Sequence, residues 1–309
     1  MSRLIVIGCW LSSLLICVPQ CLADTQSITI TAILSRDAEP YQEVLEGVRQ
    51  AFSVSGFRIE LDVHVYKDAS NNAPIKAAVS ASRSRAVLSL GSQATAFAVS
   101  EFSELPICAG LIVDEKALGD SENVTGLVLK FPLEIELQWL KMFIGSDKSI
   151  AVLYHEEKSG AELGRAQQLA EQIGLRLHAQ AVNDHSDLPS VLKRLPQNTG
   201  ALWSFAESGI LNAQTAKHVL LYSFRNRIPL VGLSNQWTKA GALYSLDRDY
   251  FDIGVQCGEK IVKILNGIPP EQIPVEPPRK VFYSINMKTL RHMKLELPES
   301  LIQDAHEVF

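Results

Sequence analysis

Cysteine is scarce in this chain. Five occur in 309 residues, and three of them (Cys9, Cys17 and Cys21) fall at the N-terminal end. The remaining pair, Cys108 and Cys257, is too small a set for a disulfide scaffold or a four-cysteine zinc site. The seven histidines are scattered, with no His-x-x-x-His. A zinc site from His155 and His185 is weaker than the reading of two exposed histidines. No Gly-Lys-Ser/Thr follows Gly160 and Gly164, so there is no phosphate loop. Gly232-Leu233-Ser234-Asn235-Gln236 opens like a nucleophile elbow but lacks the second glycine. The formal net charge is −5 and no basic patch is visible, which argues against nucleic acid as a partner. No motif implies a cofactor.

Long apolar runs are also few. The one prominent run, Leu4 to Cys17, has roughly 14 residues, against the roughly 20 a bilayer span needs. Arg3 precedes it, Pro19 breaks it, and Cys21-Leu22-Ala23 places small residues before Asp24. Residues 1–23 therefore read as a secretory signal cleaved near Ala23, and the mature chain is expected to be soluble and extracytoplasmic, or periplasmic. The competing readings are an uncleaved anchor and a lipid-attachment site at Cys21, although Gln20 stands where that motif wants a small residue. An oxidising compartment permits a disulfide between Cys108 and Cys257, and two buried free thiols are the alternative.

What the chain does have is enough apolar sequence, 47%, with 20% charged residues, to build two ordinary domains. Ile28 to Leu34 is β-branched and apolar, a buried strand. Val44, Leu45, Val48, Ala51 and Phe52 then share one face of a helix over Glu39 to Val54, stopped by Gly56. Further strands are expected at Phe57–Val65, Ala86–Leu90 and Ile107–Val113, with helices between. The grammar restarts with a helix over Leu133–Ile144. Strands at Ser149–Tyr154, Leu175–Val182, Ala201–Phe205 and Leu230–Leu233 follow, separated by helices at Gly160–Ile173, Leu188–Leu195 and Ile210–Arg225. This alternation predicts an α/β protein with two doubly wound parallel-sheet lobes. Ala86 to Ser92 and Gly200 to Ala206 echo one another, by duplication or by shared α/β grammar. Asn123–Phe131, Gly241–Leu246 and the proline-rich stretch Gly267 to Pro278 are extended connections. Three of them predict a three-stranded hinge. The expected division is 24–123 for lobe 1, completed by about 247–278, and 124–246 for lobe 2, completed by about 279–309.

The C-terminal part carries a resemblance. Gly241-Ala242-Leu243, Asp249-Tyr250, Gly254, Gln256, Lys263-Ile264-Leu265-Asn266-Gly267, Ile285-Asn286-Met287-Lys288-Thr289, Leu297-Pro298, Leu301, Ala305, Glu307 and Val308 are similar to the substrate-binding proteins of ABC transporters, the family that includes tryptophan and tyrosine binders. Asn123-Val124-Thr125-Gly126, Val152-Leu153-Tyr154 and Gly174-Leu175 resemble its first crossover and second lobe. Lys294, His306 and His155-Glu156 depart from its pattern. The resemblance implies a type I periplasmic binding fold, a monomer that captures a small-molecule ligand such as an amino acid or related anion, and an ABC permease as partner. It implies no catalysis. A ligand-sensing module signalling to a histidine kinase or receptor, and an exported enzyme working in the cleft, are the rival readings.

In open parallel sheets, ligands bind beyond the carboxyl ends of the strands. Ser35, Arg36, Tyr41, Ser92, Gln93 and Thr95 occupy such places in the first lobe. His155, Phe205, Glu207, Asn235, Gln236 and Trp237 do so in the second. Ser92 to Thr95 opens a helix whose free amides suit an anion, or Ser92 caps it. Tyr41 and Trp237 can sandwich a flat ligand or pack at a lobe edge. Glu207 can receive an ammonium group or lie solvated. Arg36 can meet an anion or pair with Asp37.

Overall fold

The structure is a computed structural model describing residues 27–68, 70, 72–113, 115–145, 148–205 and 209–309. The expected signal at residues 1–23 and Glu207 lie outside the described residues. The elements run β1 Ile28–Leu34, α1 Glu39–Ser53, β2 Ile59–Val65, α2 Asn72–Ala81, β3 Val87–Leu90, α3 Ser92–Glu101, β4 Ile107–Ile112 and β5 Val124–Val128. Next come α4 Leu133–Ile144, β6 Ser149–Tyr154, α5 Glu156–Gln172, β7 Arg176–Ala181, α6 Leu188–Lys193, β8 Thr199–Ser204, α7 Ala216–Asn226, β9 Val231–Gly232, α8 Asn235–Ala240 and β10 Tyr244–Arg248. Last are α9 Tyr250–Leu265, β11 Val281–Ile285, α10 Met287–Met293, α11 Glu299–Gln303 and β12 Glu307–Val308.

The first sheet is all parallel, ordered β2-β1-β3-β4-β5. Strands β3, β4 and β5 are buried along their whole length because helices cover both faces. A parallel bridge from Leu127 to Glu276 lengthens this sheet at its edge. The second sheet consists of β7-β6-β8 and β9-β10-β11-β12, joined through the bridge from Leu202 to Leu230. Here the parallel expectation gives way at one place. Strands β10 and β11 are antiparallel, pairing Tyr244 with Ile285 and Arg248 with Val281. The reason is the path of the chain: β10 leaves the second lobe and β11 returns to it.

Between those two strands lies α9, which packs on α1 in the first lobe. Ile253, Cys257 and Ile261 join Val44, Leu45 and Val48 in one buried cluster. Three glycines make the helix pair close. A Cβ on Gly47 would strike the Phe251 carbonyl, one on Gly254 would strike the Val44 carbonyl, and one on Gly258 would lie 2.5 Å from Ala51 Cβ. The second lobe has its own core, with Leu137, Phe143, Ile150, Tyr244 and Ile285 at its centre. Among the described residues, each buried cluster draws on one lobe only. The chain passes between lobes at 129–132, at 247–249 and at 277–280.

Helix boundaries differ from expectation where side chains intervene. Helix α5 starts at Glu156, because the backbone N–H of His155 donates to Ser159 Oγ, whose hydroxyl donates back to the His155 carbonyl. Glu156 and Glu157 also favour its N-terminus. Helix α7 starts late, at Ala216. Asn212 Oδ1 accepts from the amides of Gln214 and Thr215 and holds the preceding residues in a turn.

Gly254→Ala is expected to lower the unfolding free energy by about 2–3 kcal/mol in urea titration, since the methyl forces α9 away from α1. Gly160→Ala in α5, where a Cβ meets nothing within 4 Å, leaves stability unchanged or raises it slightly.

Candidate ligand-binding cleft

On the first lobe, the site is organised from a distance. The Ser35 hydroxyl, just past β1, accepts a hydrogen bond from the Ala94 amide at 2.9 Å and so caps α3 across the sheet. Gly91, the local N-cap, takes φ +88°, and a Cβ there would fall 2.6 Å from Ser35 Oγ and 2.7 Å from the Tyr41 hydroxyl. Ser35, Tyr41 and the start of α3 thus form one cluster, with Ser92 and Gln93 exposed beside it. The Ala94 amide is taken by Ser35, and the Thr95 amide by the Gly91 carbonyl. The Ser92 and Gln93 amides remain at the positive end of the helix.

Three expectations change here. Ser92 makes no capping bond with its side chain; Ser35 does that work. Thr95 is fully buried, its hydroxyl 3.0 Å from Ser89 Oγ, so it supports the sheet rather than facing a ligand. Arg36 is exposed, Asp37 accepts from Gln42 Nε2 at 2.8 Å, and among the described residues no Arg36–Asp37 ion pair is found. Gln93 also lines a hollow of about 520 Å³ with Tyr66, Lys67 and Asn72, at the end of β2.

On the second lobe, His155 is half-buried at the mouth of β6, with a buried Nδ1 that has no hydrogen-bond partner among the described residues. Asn235 Oδ1, at the start of α8, is in the same condition. Gln236 is exposed. Phe205 is 3% exposed and packs on Trp203 with ring centroids 4.8 Å apart, so it is a core residue. Trp237 packs against the cluster of Ala151, Leu202 and Ala242, and its Cβ crowds Gly232. It is half-buried, with part of its ring serving the lobe's interior.

Sequence reasoning missed the residues beside the crossings. A notch of about 40 Å³ in the second lobe is lined by Phe131, Glu136, Trp203, Ser204, Tyr244 and Arg248, among others. Arg248 Nε donates to the Leu129 carbonyl at 2.6 Å, and its guanidinium lies 4.3 Å from the centre of the Phe131 ring. The first and second crossings are thereby fastened together. The available signal was an arginine ending a strand directly before Asp249-Tyr250. A larger hollow, about 580 Å³, spans the lobes between Val113 and Lys116 on one side and Glu134 and Arg165 on the other. Lys130 with Glu162 (2.6 Å) and Arg165 with Glu134 (2.9 Å) form ion pairs along it.

Charge is concentrated where the crossings meet α1. Burial raises the pKa of Glu43, and the neighbouring Glu39, Asp249, Glu46 and Asp247 raise it further. The third crossing is held by a buried carboxylate. Arg279 reaches both oxygens of Asp252, at 2.9 and 3.0 Å, and Gln256 donates to the same group at 3.1 Å. Lys260, 2% exposed, bonds the Pro274 carbonyl and Glu276. Burial raises the Asp252 pKa, but hydrogen bonds from Arg279 and Lys280 outweigh it, and the net shift is downward.

A sequence profile of the family described as ABC transporter substrate binding protein matches residues 27–309. The chain belongs to that family. Its members are non-catalytic proteins that bind a small molecule for an ABC transporter, which removes the exported-enzyme reading. The substrate-binding proteins of ABC transporters are typically extracytoplasmic. Among the described residues, no helix is long and apolar enough to cross a membrane. A tyrosine-binding protein of Clostridioides difficile is 22% identical over 62% of this chain and 55% of its own length. An ABC domain from Streptococcus pneumonia, solved in complex with L-Trp, superposes with a TM-score of 0.62 at 21% identity, covering 92% of this chain and 100% of that one. The ligand-free, open structure of a substrate binding protein with adhesive properties from Clostridium difficile gives 0.75 at 19% identity, over 91% of this chain and 99% of that one. The fold is that of the type I periplasmic binding proteins.

Because the Asp252 pKa is depressed, its stabilising contribution is present above the ordinary carboxylate pKa and is lost as pH falls through the folded-state value. Asp252→Asn is therefore expected to cost about 2 kcal/mol at pH 7. In urea titrations the difference from the parent protein narrows below about pH 4.

Proposed function

We propose that this chain captures a free amino acid between its lobes and presents the closed form to a membrane permease. The observation that carries the reading is the α3 N-terminus. Two outward amides, Ser92 and Gln93, stand beside the Ser35 and Tyr41 hydroxyls, which suits a carboxylate. The acidic group of Glu39, Glu43 and Asp247, near the second crossing, suits an ammonium group. A zwitterion satisfies both. The L-Trp and tyrosine bound by the similar proteins support this choice. His155, Asn235 and Gln236 on the second lobe, and Arg248 at the notch, complete the wall that would close over the ligand.

Closure is a population shift, because a solute touching both lobes binds the closed form better. The lobes that move are 27–128 with about 250–276, and about 133–248 with 281–309; the expected boundary at 123/124 shifts because β5, Val124–Val128, pairs with β4 in the first sheet. The protein acts as a monomer, exported by a signal cleaved near Ala23.

The test is thermal unfolding with L-tryptophan, L-tyrosine, L-leucine and the other amino acids, with sugars and inorganic anions as comparison. At 100 times its dissociation constant the true ligand adds about 2.7 kcal/mol of stability. Small-angle scattering should show the radius of gyration falling on addition of the same compound. Stabilisation by a sugar and by no amino acid would overturn the assignment. Ser92→Pro keeps the first helical position but removes its amide hydrogen, and is expected to weaken binding about tenfold. Unchanged affinity in that variant moves the carboxylate elsewhere.

A further inference from the structure

Cys108 lies on β4, an interior strand of the first sheet between β3 and β5, and Cys257 lies on α9, which packs on one face of that sheet. Both are 0% exposed. They are separated by 149 positions in sequence, yet Cys108 Sγ donates to the Cys257 carbonyl at 3.7 Å. Cys257 Sγ lies 3.1 Å from where a Cβ on Gly110 would sit. Cys108 and Gly110, two residues apart, share one face of the strand, so α9 sets its thiol against the face that carries the other. The absent side chain at Gly110 leaves room for it. No metal cluster includes either thiol among the described residues, and neither lines the cleft. The described structure holds both as free thiols.

We propose that Cys108 and Cys257 are a disulfide-forming pair, joined in the exported protein into one bond that staples β4 to α9. The natural setting rests on the export reading above. The pairing itself rests on geometry. With the signal removed, no third cysteine competes. Contact with Cys108 and burial both hold the Cys257 thiol well above its ordinary pKa, so in the finished fold the pair is slow to react. Bond formation therefore belongs to folding, before α9 is fully seated. One thiol loses its proton and attacks a small-molecule or protein disulfide, displacing a thiolate. The second thiol, deprotonated in turn, attacks the mixed disulfide and displaces the other half. Two cysteine thiols give up two electrons and two protons, and the disulfide reagent becomes two thiols.

The test uses the full chain with its leader, recovered from the extracytoplasmic fraction, denatured in iodoacetamide without reductant, and digested. The Cys108 and Cys257 peptides are expected as one cross-linked species, separating into two alkylated peptides after reduction. Two alkylated peptides without reduction overturn the proposal. A second arm does not depend on export: reduced protein is refolded from urea in oxidised glutathione, and the same cross-link is expected. Recovery of free thiols or glutathione adducts at both positions overturns the pairing. A cross-link on refolding, with the protein retained inside the cell, supports the pair and overturns the export on which its natural oxidation depends. The cross-linked protein should melt at least about 5 °C above its reduced form. The Cys108→Ser/Cys257→Ser double variant should be indifferent to reductant.

Discussion

Helices α1 and α9 approach so closely that their backbones touch, and most of the architecture follows from that contact. Gly47, Gly254 and Gly258 line the seam, and Val44, Val48, Ile253 and Ile261 seal it with apolar surface. Helix α9 comes after most of the second lobe in sequence, yet its buried face fits only the first. The chain is thereby obliged to leave the second lobe after β10, traverse the first, and return for β11. The antiparallel pairing inside an otherwise parallel sheet records that detour. A single tether would leave the lobes free to wander, whereas three side-by-side passes confine them to bending.

The passes are held by polar groups rather than by apolar packing. Arg248 fastens the second to the first, and Arg279 and Lys260 fasten the third to α9 and its own approach. Each lobe is sealed by its own core, so bending exposes little new apolar surface. The hollow that spans the lobes is mixed, with Val113, Val128, Phe131 and Leu133 beside Lys130, Glu134, Glu162 and Arg165.

Much of the fold could be read in the sequence because it is written locally. The apolar runs of β1, β3, β4, β6 and β8 and the one-sided pattern of α1 are short-range signals, and the three extended connections stand out between periodic segments. The short elements α8, α10, α11 and β12 have too few residues to show a period. The site was less legible for a different reason. Ser35 caps a helix whose first residue is 57 positions later, and no local rule announces that partnership. Thr95 and Phe205 follow strands as ligand-facing residues would, but the next half-turn of chain directs them inward. Arg248 was hidden because its partners, Leu129 and Phe131, belong to another pass of the chain.

The order in which the chain is made has a bearing on how it matures. The first sheet gains its last edge contact from Glu276, and the helix that seals its α1 face ends only at Leu265. A ribosome that has finished residues 27–128 has therefore made a sheet whose α1 face still lacks α9 as cover, and more than a hundred further residues must follow before α9 arrives. The amino-terminal lobe gains its full cover only when synthesis is almost complete.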